Sequence, residues 1–163
     1  KVVKSEILIR RAEVSGELVW MAELAVRAWQ TAVRNITLTD EGRSELQVKF
    51  LRDLHENADG VLLAERSGEI CGWGGHVPKS NYISDLWIDP AHHGQGFGGA
   101  LLDALMAQIV LNGFSDAEIG THANNLRAIG LYEKFGFRIY QRGEEWSASF
   151  GCIVDKVRMR ADL

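Results

Sequence analysis

Four glycines fall within six residues at Gly94-Gln-Gly96-Phe-Gly98-Gly99. They stand between a strand-like run ending at Asp89-Pro90 and an apolar helical run that carries Leu101, Leu102, Leu105, Met106 and Ile109. The start of a helix has unpaired N–H groups and the positive end of the helix dipole, so it attracts anions. Glycines admit a ligand to the backbone because no Cβ stands in the way. Four exceed what one tight turn needs, and the place suits a diphosphate. Read literally, Gly94-x-Gly96-x-x-Gly99 matches the dinucleotide-binding fingerprint, with Glu118 about 20 residues on as its ribose carboxylate. The context argues against that reading. Pro90-Ala-His-His93 separates the strand from the first glycine, and too little chain follows Gly99 for further βαβ units. No Gly-Lys-Ser/Thr closes the loop, which excludes a P-loop.

The remaining pattern is that of one mixed domain. A strand is expected at 6–11, then a helix at about 13–33 with Ser15 as N-cap and Leu18 at the third helical position. A second helix, capped by Thr39 or Asp40, runs to about Glu56 and buries Leu46, Phe50, Leu51 and Leu54. Strands follow at 61–65 and 69–75, joined at Arg66-Ser67-Gly68, and a third at 82–89. Three glycines in the second of these, Gly72, Gly74 and Gly75, point to a bulge or a close backbone approach. A helix from Gly96, a strand at 116–121, a short helix at 125–135 and strands at 136–142 and 152–160 complete the order. This is an α/β fold with a mixed sheet and helices on both faces. The 163 residues suit one domain, and a net charge of -4 argues against a non-specific nucleic-acid binder. No apolar run reaches the roughly 18 residues that span a bilayer, so no membrane partner is expected. Residues 1–10 show no secretory signal. With that, Cys71 and Cys152 read as free thiols in a reducing cytosol, and a cytoplasmic location is expected.

Two blocks carry a family resemblance. The first is Leu86-Trp-Ile-Asp-Pro90 followed by His93-Gly-Gln-Gly96-Phe-Gly98. The second is Asn125-Leu-Arg-Ala128-Ile-Gly-Leu-Tyr132-Glu-Lys-Phe-Gly136-Phe137. Together, at this spacing, they resemble the GNAT superfamily of acyl-CoA-dependent N-acetyltransferases, and the element order agrees over nearly the whole chain. The resemblance implies a single N-acetyltransferase domain over 1–163. Its sheet is mostly antiparallel, with about seven strands, and four helices lie on both faces. It also implies acetyl-CoA as co-substrate and transfer of the acetyl group to a primary amine by direct attack in a ternary complex.

Carried over residue by residue, the backbone N–H groups of Gly94, Gln95, Gly96, Phe97, Gly98 and Gly99 hold the CoA diphosphate. His93, in the place of the family's Arg or Gln, offers less charge, and His92 shares the task. Leu86, Trp87 and Ile88 lend their backbone to the pantetheine arm and an N–H to the developing oxyanion. Asn125 and Ala128 contact CoA at the start of the second motif helix. Tyr132 protonates the departing thiolate. Adjacent His92 and His93 point apart and lack a third ligand, so no metal is expected.

The general base is where the chain departs from the family. Tyr82, Ser84 and Gly120 occupy the places where Glu or His is usual, and none is a good base. The candidates left are Asp85, set by strand alternation on the face opposite Ser84, then His122 and Glu118, reached through a water chain, or else the amine arrives already deprotonated. The catalytic set expected is thus Tyr132, Asp85 and Ser84. The acceptor, a small amine, an amino-acid-like compound or a peptide N-terminus, is expected among Trp20, Trp29, Thr31, Tyr82, Trp87 and a loop at Gly143-Glu144-Glu145-Trp146. The missing base leaves open a non-catalytic acyl-CoA sensor on the same fold. A homodimer is expected through an uncovered edge at 152–160. A bulky residue at Gly96 or Gly98 is expected to abolish acetyl-CoA binding and leave the fold largely intact.

Overall fold

The structure, a computed structural model, describes residues 6–33, 37–147 and 152–163. The elements follow as β1 (Leu8–Arg10), α1 (Ser15–Ala32), α2 (Asp40–Glu56), β2 (Val61–Arg66), β3 (Glu69–His76), β4 (Tyr82–Ile88), α3 (Phe97–Leu111), β5 (Asp116–His122), α4 (Leu126–Lys134), β6 (Arg138–Ser147) and β7 (Cys152–Asp162). Short 3-10 turns precede β2 and α3. The seven strands form one sheet in the order β1-β2-β3-β4-β5-β7-β6. Every neighbouring pair is antiparallel except β4 and β5. The expected mixed, mostly antiparallel sheet with four helices is therefore present.

Two cores flank the sheet. On one face α1 and α2 bury Met21, Leu24, Trp29, Leu46, Phe50 and Leu54 against Leu63 of β2 and Trp73 of β3. On the other, Leu101, Leu102, Leu105 and Ile109 of α3 pack with Ile129 of α4 onto Ile83, Ile119 and Met159. Strand β2 is covered on both faces, so Val61, Leu62, Leu63 and Ala64 are all buried and the strand reads as a continuous apolar run. Strand β7 is covered on one face only. Val157, Met159 and Ala161 are buried and alternate with Arg158, Arg160 and Asp162, which are exposed.

Several local expectations change. Helix α1 is capped at Val14 rather than Ser15, and Glu17 rather than Leu18 stands at its third position. The Glu17 carboxylate accepts from the backbone N–H of Glu13 at 2.8 Å and of Val14 at 3.4 Å, which fills half of a capping box. Strand β1 is shorter than 6–11. Strand β6 continues to Ser147, so Gly143 to Trp146 are strand and not loop, paired with β7 out to Cys152. Strand β7 lies between β5 and β6, so it has no free edge. The edge strands of the sheet are β1 and β6. No helix among the described residues is long and apolar enough to cross a membrane.

The short β1 is fastened by charge. Arg10 reaches Glu17 of α1 at 2.6 Å and Glu65 of β2 at 3.1 Å, with all three side chains largely shielded. The Arg10 guanidinium holds the Glu17 carboxyl down at about 2, against an ordinary 4.5. A folded-state value below the unfolded one stabilises fully above about pH 4.5, and the contribution is lost as pH falls through about 2. Glu17→Gln is expected to lower Tm at pH 7 and to bring the wild-type and variant melts together near pH 2. Thermal melts between pH 2 and 7 read both.

Candidate active site

Strands β4 and β5 pair over only two residues, Tyr82 with Glu118 and Ile83 with Ile119. Beyond Ile83 they part, and one side of the Ser84–Ile88 backbone loses its sheet partner. On its other side β4 stays paired to β3, with a register slip: Asp85 faces Gly75 while Ile83 faces His76. Ser84 is the extra residue of a β-bulge, which breaks the side-chain alternation. The Ser84 hydroxyl consequently donates to Asp85 at 2.8 Å, so the two side chains lie on the same side and not on opposite faces as strand alternation predicts. A cavity of about 1160 Å³ opens in the parting and runs from the glycine loop, past β4 and β5, to α1 and α2.

The glycine loop forms one end of it. The first hydrogen bond of α3 runs from the Ala100 N–H to the Gly96 carbonyl, at 3.1 Å. Among the described residues the backbone N–H groups of Gly94 to Gly99 donate to no carbonyl. The four glycines divide their work. Gly94 and Gly96 have φ of 75° and 91°, a conformation that favours glycine. Gly98 and Gly99 are small for packing: a Cβ on Gly98 would lie 2.9 Å from Leu131, and one on Gly99 3.2 Å from Phe135. A bulky residue at Gly98 would therefore crowd the tip of the Leu131 side chain at the α3–α4 contact. Gln95 turns away from the cavity and accepts from Arg66 at 3.0 Å. Phe97 is buried, with the Arg66 guanidinium 4.7 Å from its ring, so its side chain belongs to the core and only its backbone serves the loop.

His93 does not act as a weak cation here. Arg127, at the start of α4, donates to His93 Nδ1 at 2.6 Å. Burial, and then Arg127, hold the imidazole below its ordinary pKa. Arg127 therefore carries the positive charge beside the loop, a residue the sequence reading passed over. The nitrogen Nε2 of His92 sits 3.3 Å from Glu69, which draws it away from that role. Asn125 caps α4, accepting from the Ala128 N–H at 3.3 Å and donating to Thr121 at 3.2 Å. Asn125 and Ala128 both line the cavity, as do Leu86, Trp87 and Ile88.

Tyr132 stands on the cavity wall and is buried. Burial, with the nearby Tyr82, drives its pKa well above the ordinary phenol value, so the hydroxyl keeps its proton. Gly120 is filled from across the sheet, because the Tyr82 hydroxyl lies 3.7 Å from where a Cβ at 120 would stand. Asp85 is raised by burial, against opposing hydrogen bonds from Trp87 and Ser84. His122, also on the wall, is lowered by burial and by Lys156. Glu118 is not a base in waiting, since Arg160 holds it at 2.6 Å. Of the acceptor candidates, Trp29, Thr31, Tyr82, Trp87 and Glu145 line the cavity. Trp20, Gly143, Glu144 and Trp146 do not, and Trp20 and Trp146 are about two-thirds exposed (69% and 67%).

Residues 21–137 match the profile of the acetyltransferase (GNAT) family. The chain belongs to that family. It is 30% identical over 127 residues to a mycothiol acetyltransferase of Beutenbergia cavernae, which covers 74% of this chain and 41% of that longer protein. A GCN5-related N-acetyltransferase from Rhodopseudomonas palustris superposes with a TM-score of 0.79 at 19% identity, over 100% of this chain and 99% of that one. The Salmonella typhimurium putative acetyltransferase YncA, solved with its cofactor acetyl-CoA, gives a TM-score of 0.72 at 21% identity over 98% and 95% of the two chains. At these identities the two structures establish the fold.

In this GNAT domain the His93–Arg127 contact is open to direct measurement. The imidazole of His93 is expected to titrate below free histidine. Arg127→Gln removes the adjacent charge and should raise that pKa, while burial keeps it under the free value. Proton NMR of the histidine ring signals against pH reads the shift.

Proposed function

We propose that this GNAT domain is an acetyl-CoA-dependent N-acetyltransferase acting on a primary amine. The observation that carries the reading is the parting of β4 and β5, which leads from unpaired loop N–H groups to the Tyr132 hydroxyl within one cavity. The donor suits that shape. A diphosphate fits the N–H groups of Gly94 to Gly99 with Arg127 beside them, and an amide-bearing arm can pair with the bare side of Ser84–Ile88 as an added strand. The thioester supplies an activated acyl carbon and a thiolate leaving group.

The protein's own residues then divide the proton work. A backbone N–H on the unpaired side of β4 is available to the oxyanion. Tyr132, kept protonated by burial, donates to the leaving sulfur. The amine must lose a proton, and Asp85 is the acceptor we favour, reached through the Ser84 hydroxyl and water. The observation favouring a non-catalytic sensor instead is Gly120, where a base is usual and the Tyr82 hydroxyl stands in its place.

Incubation with acetyl-CoA and an amine panel, followed by detection of free thiol, tests the proposal. Tyr132→Phe is expected to lower kcat by about 10²-fold and to leave acetyl-CoA affinity nearly unchanged. A wild-type kcat would return Tyr132 to the core. The rate is also expected to follow the free-amine fraction, so kcat/KM rises through about pH 8 with no plateau near neutrality. Asp85→Asn should cost less than about tenfold, because water can reroute the proton. A plateau near about pH 6.5 that disappears in Asp85→Asn would make Asp85 a dedicated base.

A further inference from the structure

The acceptor end of the cavity contains two cations that the proton work above does not use. Lys156 and Arg158 share one face of β7 and both line the cavity. Arg158 stands opposite Gly120 on β5 and Gln141 on β6. Lys156 stands opposite His122 on β5 and Gly143 on β6. Each cation therefore has a glycine as a cross-strand neighbour: Gly143 leaves open space beside Lys156, while Gly120 beside Arg158 is overlain by the Tyr82 hydroxyl. A Cβ on Gly143 would meet nothing within 4 Å.

The neighbours of these cations along the same strand are neutralised. Asp155 pairs with Arg142 at 2.7 Å, and Arg160 pairs with Glu118 at 2.6 Å and with Asp116 at 3.6 Å. Among the described residues, neither Lys156 nor Arg158 has an ion-pair partner. Two like charges left side by side on a sheet repel unless an anion joins them. The Tyr82 hydroxyl lies 3.7 Å from where a Cβ on Gly120 would stand, and Gly120 is the cross-strand partner of Arg158. Tyr82, Tyr132 and both cations line the one cavity. The same wall carries Glu145 and Asp85, whose charge suits an ammonium.

We propose that the acceptor is a free amino acid whose α-carboxylate is held by Arg158 with help from Lys156, while its amine points toward Asp85 and Tyr132. The inference rests on the N-acetyltransferase reading. In the reaction the amine nitrogen bonds to the acetyl carbon and the carbon–sulfur bond breaks. The thiolate takes a proton from Tyr132, the amine's proton passes through the Ser84 hydroxyl and water to Asp85, and its return through water to Tyr132 restores both groups. The products are an N-acetyl amino acid and free CoA thiol. A peptide N-terminus has an amide where this site expects a carboxylate, and it is the competing outcome.

The test compares amino acids with their α-carboxamides as acceptors. A charged hydrogen-bonding partner predicts a preference for the acid of about 10- to 100-fold in kcat/KM, expressed mainly in KM. Arg158→Gln should abolish that preference, and Arg158→Lys should restore part of it. A second readout does not depend on turnover: with CoA present, an N-acetyl amino acid should bind wild type more tightly than the corresponding N-acetyl amide, and Arg158→Gln should erase the difference. Equal use of acid and amide by wild type, or an undiminished preference in Arg158→Gln, overturns the inference and leaves an N-acetyltransferase with a different acceptor. Absence of turnover with any amine refutes the catalytic reading. In that event the binding comparison alone judges the carboxylate site, and equal or undetectable binding of both N-acetyl ligands overturns it.

Discussion

The two-residue parallel pairing between β4 and β5 is the constraint on which the site depends. A parallel pair buried on both faces normally continues for the length of its strands, because every unpaired backbone group in a protein interior costs free energy. Here the pairing stops at Ile83. The sheet beyond it is held open by two separate anchors: β4 stays attached to β3, and β5 stays attached to β7 along its whole length. Each strand is thus stable without the other. The bulge at Ser84 adds local twist at the point of parting and turns the Ser84 and Asp85 side chains to one side.

The helices complete what the strands begin. The two cores are built on opposite faces, and only the face bearing α3 and α4 is covered along β5 and β7. That asymmetry leaves a polar floor of Gly120, His122, Lys156 and Arg158 beside an aromatic wall containing Trp29 and Trp87. At the other end, α3 approaches α4 closely because Gly98 and Gly99 have no side chain to keep Leu131 and Phe135 away. The same approach brings Arg127 within 2.6 Å of His93. Close packing and the local charge of the loop therefore have a common origin in two glycines.

Burial also acts on the ionisable groups of the cavity wall. Burial moves Tyr132 and Asp85 in the same direction, toward their protonated forms, but the consequences differ. A phenol raised further remains a donor throughout the neutral range. A carboxyl raised from its ordinary value becomes a better proton acceptor as long as it stays ionised. Burial, and then Lys156, shift His122 the other way for a base, below its ordinary pKa.

Local sequence was enough for the features that lie within a few residues of one another. The glycines at a helix start, the Asn125 cap and the strand at Leu86–Ile88 are each written in a short segment, because hydrogen-bond geometry and φ preference act over that range. Tyr132 entered through a motif of similar length. What no segment contains is register. The meeting of Arg127 with His93 depends on how closely two helices pack, and the Tyr82 hydroxyl over Gly120 depends on which residues of β4 and β5 pair. The placement of Arg158 between Gly120 and Gln141, like the shift of the free edge from β7 to β6, depends on strand order. Side chains from distant parts of the chain are brought together by tertiary pairing, and a one-residue change in that pairing turns every side chain to the other face. The family and the glycine loop were therefore legible in the linear chain, while the Lys156–Arg158 end of the cavity exists only in the folded sheet.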